Sequence, residues 1–249
     1  IVGRTLKEGR FWDAHLRPYF VDAGAPSTGT ALDIGAYIGF HTVELCRYFK
    51  RVIAFEPVLQ TVELLLDNLQ TNRVRDQVLV VPLGAYDRLK MLGRANVAQV
   101  GWDPADTANA PSLPWFPLNG APHIPVAPAD TFVMSQEDVR LIKVDAQGAD
   151  LRVLYGLERT IQRCRPLILL EWEAGYAEEH GDQWEHVEYW AEKHGFPWLI
   201  ARVPMASSNE DKQRYFNSLN NLGSEPTILA LVVDADNRFD LDMKEAQHP

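Results

Sequence analysis

Ala31-Leu32-Asp33-Ile34-Gly35-Ala36-Tyr37-Ile38-Gly39-Phe40-His41-Thr42 is the stretch whose reading decides the fold. Apolar residues leading into Asp33 predict a buried strand, and Gly35 and Gly39 bracket a tight turn. Phe40, Val43, Leu45 and Phe49 then fall at helical spacing. A strand, a glycine turn and a helix in that order build a ligand-binding corner at the carboxyl end of a strand.

Downstream, Arg51 to Pro57 predicts a short strand that ends in Glu56, with Pro57 opening a helix over 58–69. A third strand spans 77–83, and Gly84-Ala85-Tyr86-Asp87 turns away from it. This βαβαβ order calls for parallel strands joined by right-handed crossover helices, an α/β architecture with helices on both faces. Further strands are predicted over 138–145, 166–173, 198–203 and 227–233, and helices over 149–164 and 183–194. Upstream, the amphipathic pattern from Gly9 to Val21 is broken by Pro18, and residues 1–29 are expected to form a helical cap over the sheet. The whole chain, 1–249, reads as one domain. Its irregular insertions are a proline-rich loop over 93–129 at the acceptor pocket, with an edge strand or two, and a second loop over 204–226.

The bulk composition narrows the partners. With 24 Lys and Arg against 34 Asp and Glu, the net charge of -10 disfavours a nucleic-acid backbone or an anionic membrane surface. Cys46 and Cys164 sit in apolar helical surroundings and read as near-core residues, so nothing calls for an oxidising compartment. No apolar run reaches the roughly 20 residues of a membrane span, and the first residues lack the pattern of a signal peptide. A cytoplasmic location is expected.

Asp33 and Glu56 end neighbouring parallel strands, where open α/β sheets bind their ligands. The spacing Gly35-x-x-x-Gly39 differs from the dinucleotide Gly-x-Gly-x-x-Gly, and an acid ahead of the turn repels phosphate. A cationic ligand suits it better. S-adenosylmethionine has no phosphate, carries a sulfonium and an ammonium, and offers two ribose hydroxyls to an acid such as Glu56. A Rossmann-like domain for another nucleotide fits the same pattern.

The ordered set Asp33-Ile-Gly-Ala-Tyr-Ile-Gly-Phe-His-Thr, Phe55-Glu-Pro, Ile142-Lys-Val-Asp-Ala-Gln-Gly-Ala-Asp150 and Ile168-Leu-Leu-Glu171 resembles the FkbM-like family of class I S-adenosylmethionine-dependent methyltransferases. The resemblance runs from about Leu32 to Val203. It implies a Rossmann-like sheet of seven strands, the last antiparallel, and O-methylation of a hydroxyl on a small-molecule acceptor such as a sugar or secondary metabolite. Carried over by position, it puts Asp33, Gly35 and Gly39 at the methionine end of the cofactor, Glu56 at the ribose, and Gly84 and Ala85 at adenine. Ala36, Tyr37, Pro57 and Asp145 complete the expected cofactor-binding set. Tyr37 stands where the family commonly has Asn, and Gln147 and Asp150 stand where it has Glu.

An acceptor alcohol must lose its proton. Asp145, at the end of the fourth predicted strand, is the first candidate to take it; the same residue could instead cap the next helix or orient the cofactor. Glu171 is a candidate acceptor ligand, with Glu173 on the same strand face, and His41 either reaches the pocket or packs in the first helical turn. Lys143 is assigned to the opposite strand face from Asp145, in a structural ion pair. Trp102, Trp115, Phe116 and Trp172 offer a stacking platform or loop anchors. His180, His186 and His194 lack the spacing of a metal site; a divalent metal on Asp145 and Asp150 is the weaker alternative to a metal-free reaction. Two further functions compete with catalysis by this route: a non-catalytic cofactor-binding module, and a nucleotide-dependent oxidoreductase.

Overall fold

The computed structural model describes residues 16–25, 28–92, 124–196, 198–202 and 228–233. In chain order its strands are β1 (Thr30–Ile34), β2 (Arg51–Phe55), β3 (Val78–Val81), β4 (Gly84–Ala85), β5 (Lys90–Leu92), β6 (Ile124–Ala127), β7 (Val139–Val144), β8 (Leu167–Glu173), β9 (Trp198–Arg202) and β10 (Ile228–Val233). The helices are α1 (Arg17–Gly24), α2 (Phe40–Leu45), α3 (Leu59–Thr71), α4 (Asp150–Gly156), α5 (Glu158–Cys164), α6 (Ala174–Glu179) and α7 (Trp184–Lys193). The expected helical pattern before residue 16, most of the 93–129 insertion with Trp102, Trp115 and Phe116, and the 204–226 loop lie outside the described residues.

Seven strands form one sheet in the order β3-β2-β1-β7-β8-β10-β9, and every pairing in it is parallel. The expected antiparallel final strand is not found, since β10 runs parallel to both β8 and β9. The connection from Arg202 to Ile228 is far longer than a hairpin and exceeds the dozen or so residues a parallel crossover needs.

Alternation along the strands divides the core into two layers. Leu32, Ile34, Ile53, Phe55, Ile142 and Val144 pack with Leu151, Leu154 and Ile161 of α4 and α5 and with Val187 and Trp190 of α7. On the other face Ala31, Val52, Ala54 and Leu141 meet Phe20 of α1, Leu45 of α2, and Leu65 and Leu69 of α3. α3 shows why it forms: Val62, Leu65 and Leu69 are buried at helical spacing, while Leu64 faces water.

Three local expectations change. Pro18 does not break α1; it sits in the helix's first turn, where its missing N–H costs nothing. The helix predicted over 149–164 is two helices meeting at Leu157. The junction follows Gly156, whose backbone passes so close to the Tyr86 carbonyl that a Cβ there would lie 1.9 Å from its oxygen. Finally, β4, β6 and β5 form a separate three-stranded sheet. β6, inside the expected insertion, is the middle strand of this sheet and not an edge: it pairs with β4 on one side, and on the other its Pro125 pairs with Met91 of β5.

Candidate functional site

The turn after β1 is tied to the end of β2. The amides of Gly35 and Ala36 both donate to the Phe55 carbonyl, at 3.0 and 2.9 Å, and the Gly39 amide closes back on Ala36. Gly35 must be glycine: its φ is +79°, and a Cβ would stand 1.9 Å from the carbonyl oxygen of Asp145. Tyr37 also adopts a left-handed φ of 49°, which aims its amide at Glu56 Oε2, 2.9 Å away. The other carboxyl oxygen of Glu56 accepts the Val58 amide at 2.9 Å, just ahead of α3. Glu56 therefore holds the glycine turn to the entrance of α3.

A second loop follows β7 and repeats this construction. Asp150, in the first turn of α4, accepts the amides of Ala146 and Gly148 at 2.8 and 3.0 Å. Between them Gln147 has a φ of 50°, and Gly148, at φ +91°, lies against the backbone of Tyr176. Gln147 Nε2 donates to Asp145 Oδ1 at 3.0 Å, and Lys143 Nζ donates to Asp145 Oδ2 at 3.4 Å. Residues two apart on a strand share a face, so Lys143 and Asp145 lie together and the opposite-face assignment is corrected. The same ammonium stands 3.7 Å from Asp33 Oδ1, and Thr42 Oγ1 donates to Asp33 Oδ2 at 2.6 Å.

Between the two loops and the small sheet opens a cleft of about 610 Å³, solvent at its mouth included. One part of its wall is apolar, from Phe55, Leu92, Ile124 and Val126; the polar part comes from Glu56, Asp145, Gln147 and His180. Burial pushes the Glu56 carboxyl up to about 7 against the pull of its two amides, and does the same to Asp150. Burial also raises Asp33, with Lys143 and Thr42 opposing, and lowers His180.

A raised carboxyl pKa means that the folded protein keeps protons that the unfolded chain releases from about pH 4 upward. The stabilisation from Glu56 and Asp150 is therefore complete in acid and is lost as pH rises through about 7. Urea midpoints measured from about pH 5 to about pH 8 are expected to fall with rising pH. A flat or rising profile contradicts two carboxyls buried in protonated form.

Of the expected cofactor residues, Gly35, Glu56, Pro57, Gly84, Ala85 and Asp145 line the cleft. Asp33 does not. It is fully buried between Ala54 and Lys143 on the neighbouring strands, so it supports the turn from behind. Ala36 is buried as well, Gly39 closes the turn against Leu65, and the Tyr37 side chain is half exposed while its amide does the holding. Among the expected catalytic residues, Asp145 reaches the cleft. The His41 ring instead packs edge-on to Phe20 and Phe40, and Glu171 stands half-buried on β8 away from the cleft wall. Trp172 is a core residue against Trp184. Among the described residues no group of three or more His, Cys, Asp or Glu side chains is placed to hold a metal ion, and the Asp150 oxygens are already taken by amides. No helix among them is long and apolar enough to cross a membrane.

His180 was missed as a site residue. It follows α6 without a motif of its own, and contacts from distant parts of the chain, Gly148 against Tyr176 and Arg152 on Asp182, bring that segment to the cleft.

Residues 33–197, well over half of the chain, match the family described as Methyltransferase FkbM domain. The chain belongs to the FkbM methyltransferase family. No curated protein matches it. Among solved structures, this FkbM-family chain is similar to Methyltransferase FkbM from Methylobacillus flagellatus KT, at 23% identity over 57% of this chain and 32% of that one, TM-score 0.40. It is also similar to cofactor-bound Rv0187 from MTB, at 21% over 63% and 55%, TM-score 0.36. A third is Precorrin-6y C5,15-methyltransferase from Geobacter metallireducens GS-15, at 15% over 58% and 55%, TM-score 0.34. The chain thus spans between a third and just over half the length of these proteins.

Proposed function

We propose that this FkbM-family chain is an S-adenosylmethionine-dependent O-methyltransferase acting on a hydroxyl of a small molecule such as a sugar or secondary metabolite. The observation that carries the cofactor reading is the pairing of Glu56 and Asp145 on one cleft beside the Gly35 turn. The donor set fits the group. Each Glu56 oxygen accepts one amide and keeps a lone pair for a ribose hydroxyl. Asp145 gives a carboxylate for a cation, and the apolar wall of Leu92, Ile124 and Val126 suits a flat base. When bound, the cofactor supplies a methyl group on a positively charged sulfur.

The chain's own part is alignment. A methyl transfer needs acceptor oxygen, carbon and sulfur in line, so fixed loops contribute to rate by orientation. The two amide-clamped carboxyls, Glu56 and Asp150, provide that fixity on either side of the cleft. The acceptor class is tested with methyl-labelled cofactor and a panel of sugars, phenols and amines. Label in an alkali-stable ether of a hydroxyl compound is expected, whereas label in amines alone contradicts O-methylation.

Glu56→Gln turns one hydrogen-bond acceptor into a donor facing a backbone amide. Leaving that buried amide without its acceptor costs about 1–3 kcal/mol, so S-adenosylhomocysteine affinity is expected to fall about 5- to 100-fold by calorimetry. Unchanged affinity in the folded variant contradicts the ribose assignment.

A further inference from the structure

The reaction needs a group that receives the acceptor's proton, and the cleft offers a second one besides Asp145, whose two oxygens accept from Gln147 and Lys143 and keep one lone pair each. His180 lines the same cleft. Its Nδ1 lies 3.3 Å from the hydroxyl of Tyr86, a buried residue whose ring stands 5.9 Å from the imidazole. With Nδ1 occupied, Nε2 is the nitrogen left for a ligand, and among the described residues it has no hydrogen-bond partner.

The backbone of His180 is fixed as well. Its amide donates to the Ala177 carbonyl at 3.0 Å, and its carbonyl accepts Arg152 Nη2 at 3.1 Å. Arg152 grips the buried Asp182 through two bonds of 2.7 and 2.6 Å, a bidentate clamp that sets the loop after α6. Lys90 stands 4.0 Å over the Tyr86 ring and packs against the tyrosine as well.

We propose that His180 is the proton acceptor of the transfer, working through Nε2 while Tyr86 orients the ring through Nδ1. The inference rests on the methyltransferase reading of the cleft. In this step a lone pair of the acceptor oxygen forms the bond to the methyl carbon, and the pair of the broken carbon–sulfur bond stays on sulfur. The hydroxyl proton passes to Nε2, which becomes the second N–H of an imidazolium. The ring must start neutral, with its proton on Nδ1 donated to the Tyr86 oxygen. Burial favours the neutral form, and the nearby cations Lys90 and Arg152 act in the same direction, opposed by Asp182 and Glu179.

The test uses the whole chain saturated with S-adenosylhomocysteine and two readouts. Long-range proton–nitrogen NMR at about pH 7 is expected to find His180 in the Nδ1–H tautomer, and Tyr86→Phe is expected to shift the ring toward Nε2–H, the form favoured in water. With 4-nitrophenol as the hydroxyl probe, the wild type is expected to show several-fold more phenolate absorbance just below neutral pH than His180→Gln. That variant is expected to keep S-adenosylhomocysteine affinity within about threefold. An Nε2–H tautomer in the wild type, or equal phenolate in both proteins, overturns the proposal. A loss of cofactor affinity in His180→Gln overturns it too, by making His180 a cofactor ligand. Failure of the wild type to bind S-adenosylhomocysteine overturns the functional reading itself, and is seen before either readout is taken.

Discussion

Gly35→Ala is expected to lower the unfolding free energy by about 2–5 kcal/mol, from two costs that act together. A left-handed φ of +79° disfavours any L side chain by about 1–2 kcal/mol. The added Cβ meets the Asp145 carbonyl oxygen at 1.9 Å, and a backbone atom at a strand end cannot swing aside as a side-chain tip would. Relief requires pushing β1 and β7 apart where Asp145 N donates to the Ile34 carbonyl at 3.0 Å, a forced repacking of about 1–3 kcal/mol. Against a typical total of about 5–15 kcal/mol this leaves a marginal protein. Urea unfolding checks it; a loss under about 1 kcal/mol would mean that the two strand ends do not approach as closely as described.

Lys143→Met is expected to cost a similar amount, about 3–5 kcal/mol, because it leaves Asp33 without its cation in an otherwise apolar layer. Asp33 is fully buried and Lys143 nearly so, and they stand side by side in the parallel register of β1 and β7. The two side chains act as a pair, so removing both charges is the decisive comparison. Lys143→Met with Asp33→Asn is expected to be more stable than Lys143→Met alone, since the neutral amide still accepts from Thr42 and no buried charge remains. If the double variant lost the sum of the two single losses, Asp33 and Lys143 would not be coupled.

Much of this molecule is written in local patterns. β1 and its glycine turn, β2 ending in Glu56, and β7 ending beside Asp145 are legible because a buried strand and a tight turn leave strong local signatures. Other features depend on contacts between segments far apart in the chain. β4 has two residues, β5 three, and β6 contains a proline, so none shows alternation; they are strands because they pair with one another. The break at Leu157 reflects the passage of Gly156 beside Tyr86, seventy positions earlier in the chain. His180 reaches the cleft through the clamp of Arg152 on Asp182, which no spacing announces.

Lys143 is different. Its place beside Asp145 follows from strand parity alone and was readable. The burial of Asp33 is subtler: an acid at a strand end reads as a ligand for something in the cleft, yet its partners are Thr42 and Lys143 behind the turn. Asp33 and Glu56 thus look equivalent in sequence and differ in structure, one a support and the other part of the wall.

The central claim is that the cleft between the Gly35 turn and the Asp145 loop binds S-adenosylmethionine. Titration calorimetry of the wild-type chain with S-adenosylhomocysteine, with NAD as the comparison ligand, tests it most directly. One-to-one binding of S-adenosylhomocysteine and no heat with NAD is the predicted result. Binding of NAD with none of S-adenosylhomocysteine would contradict the account.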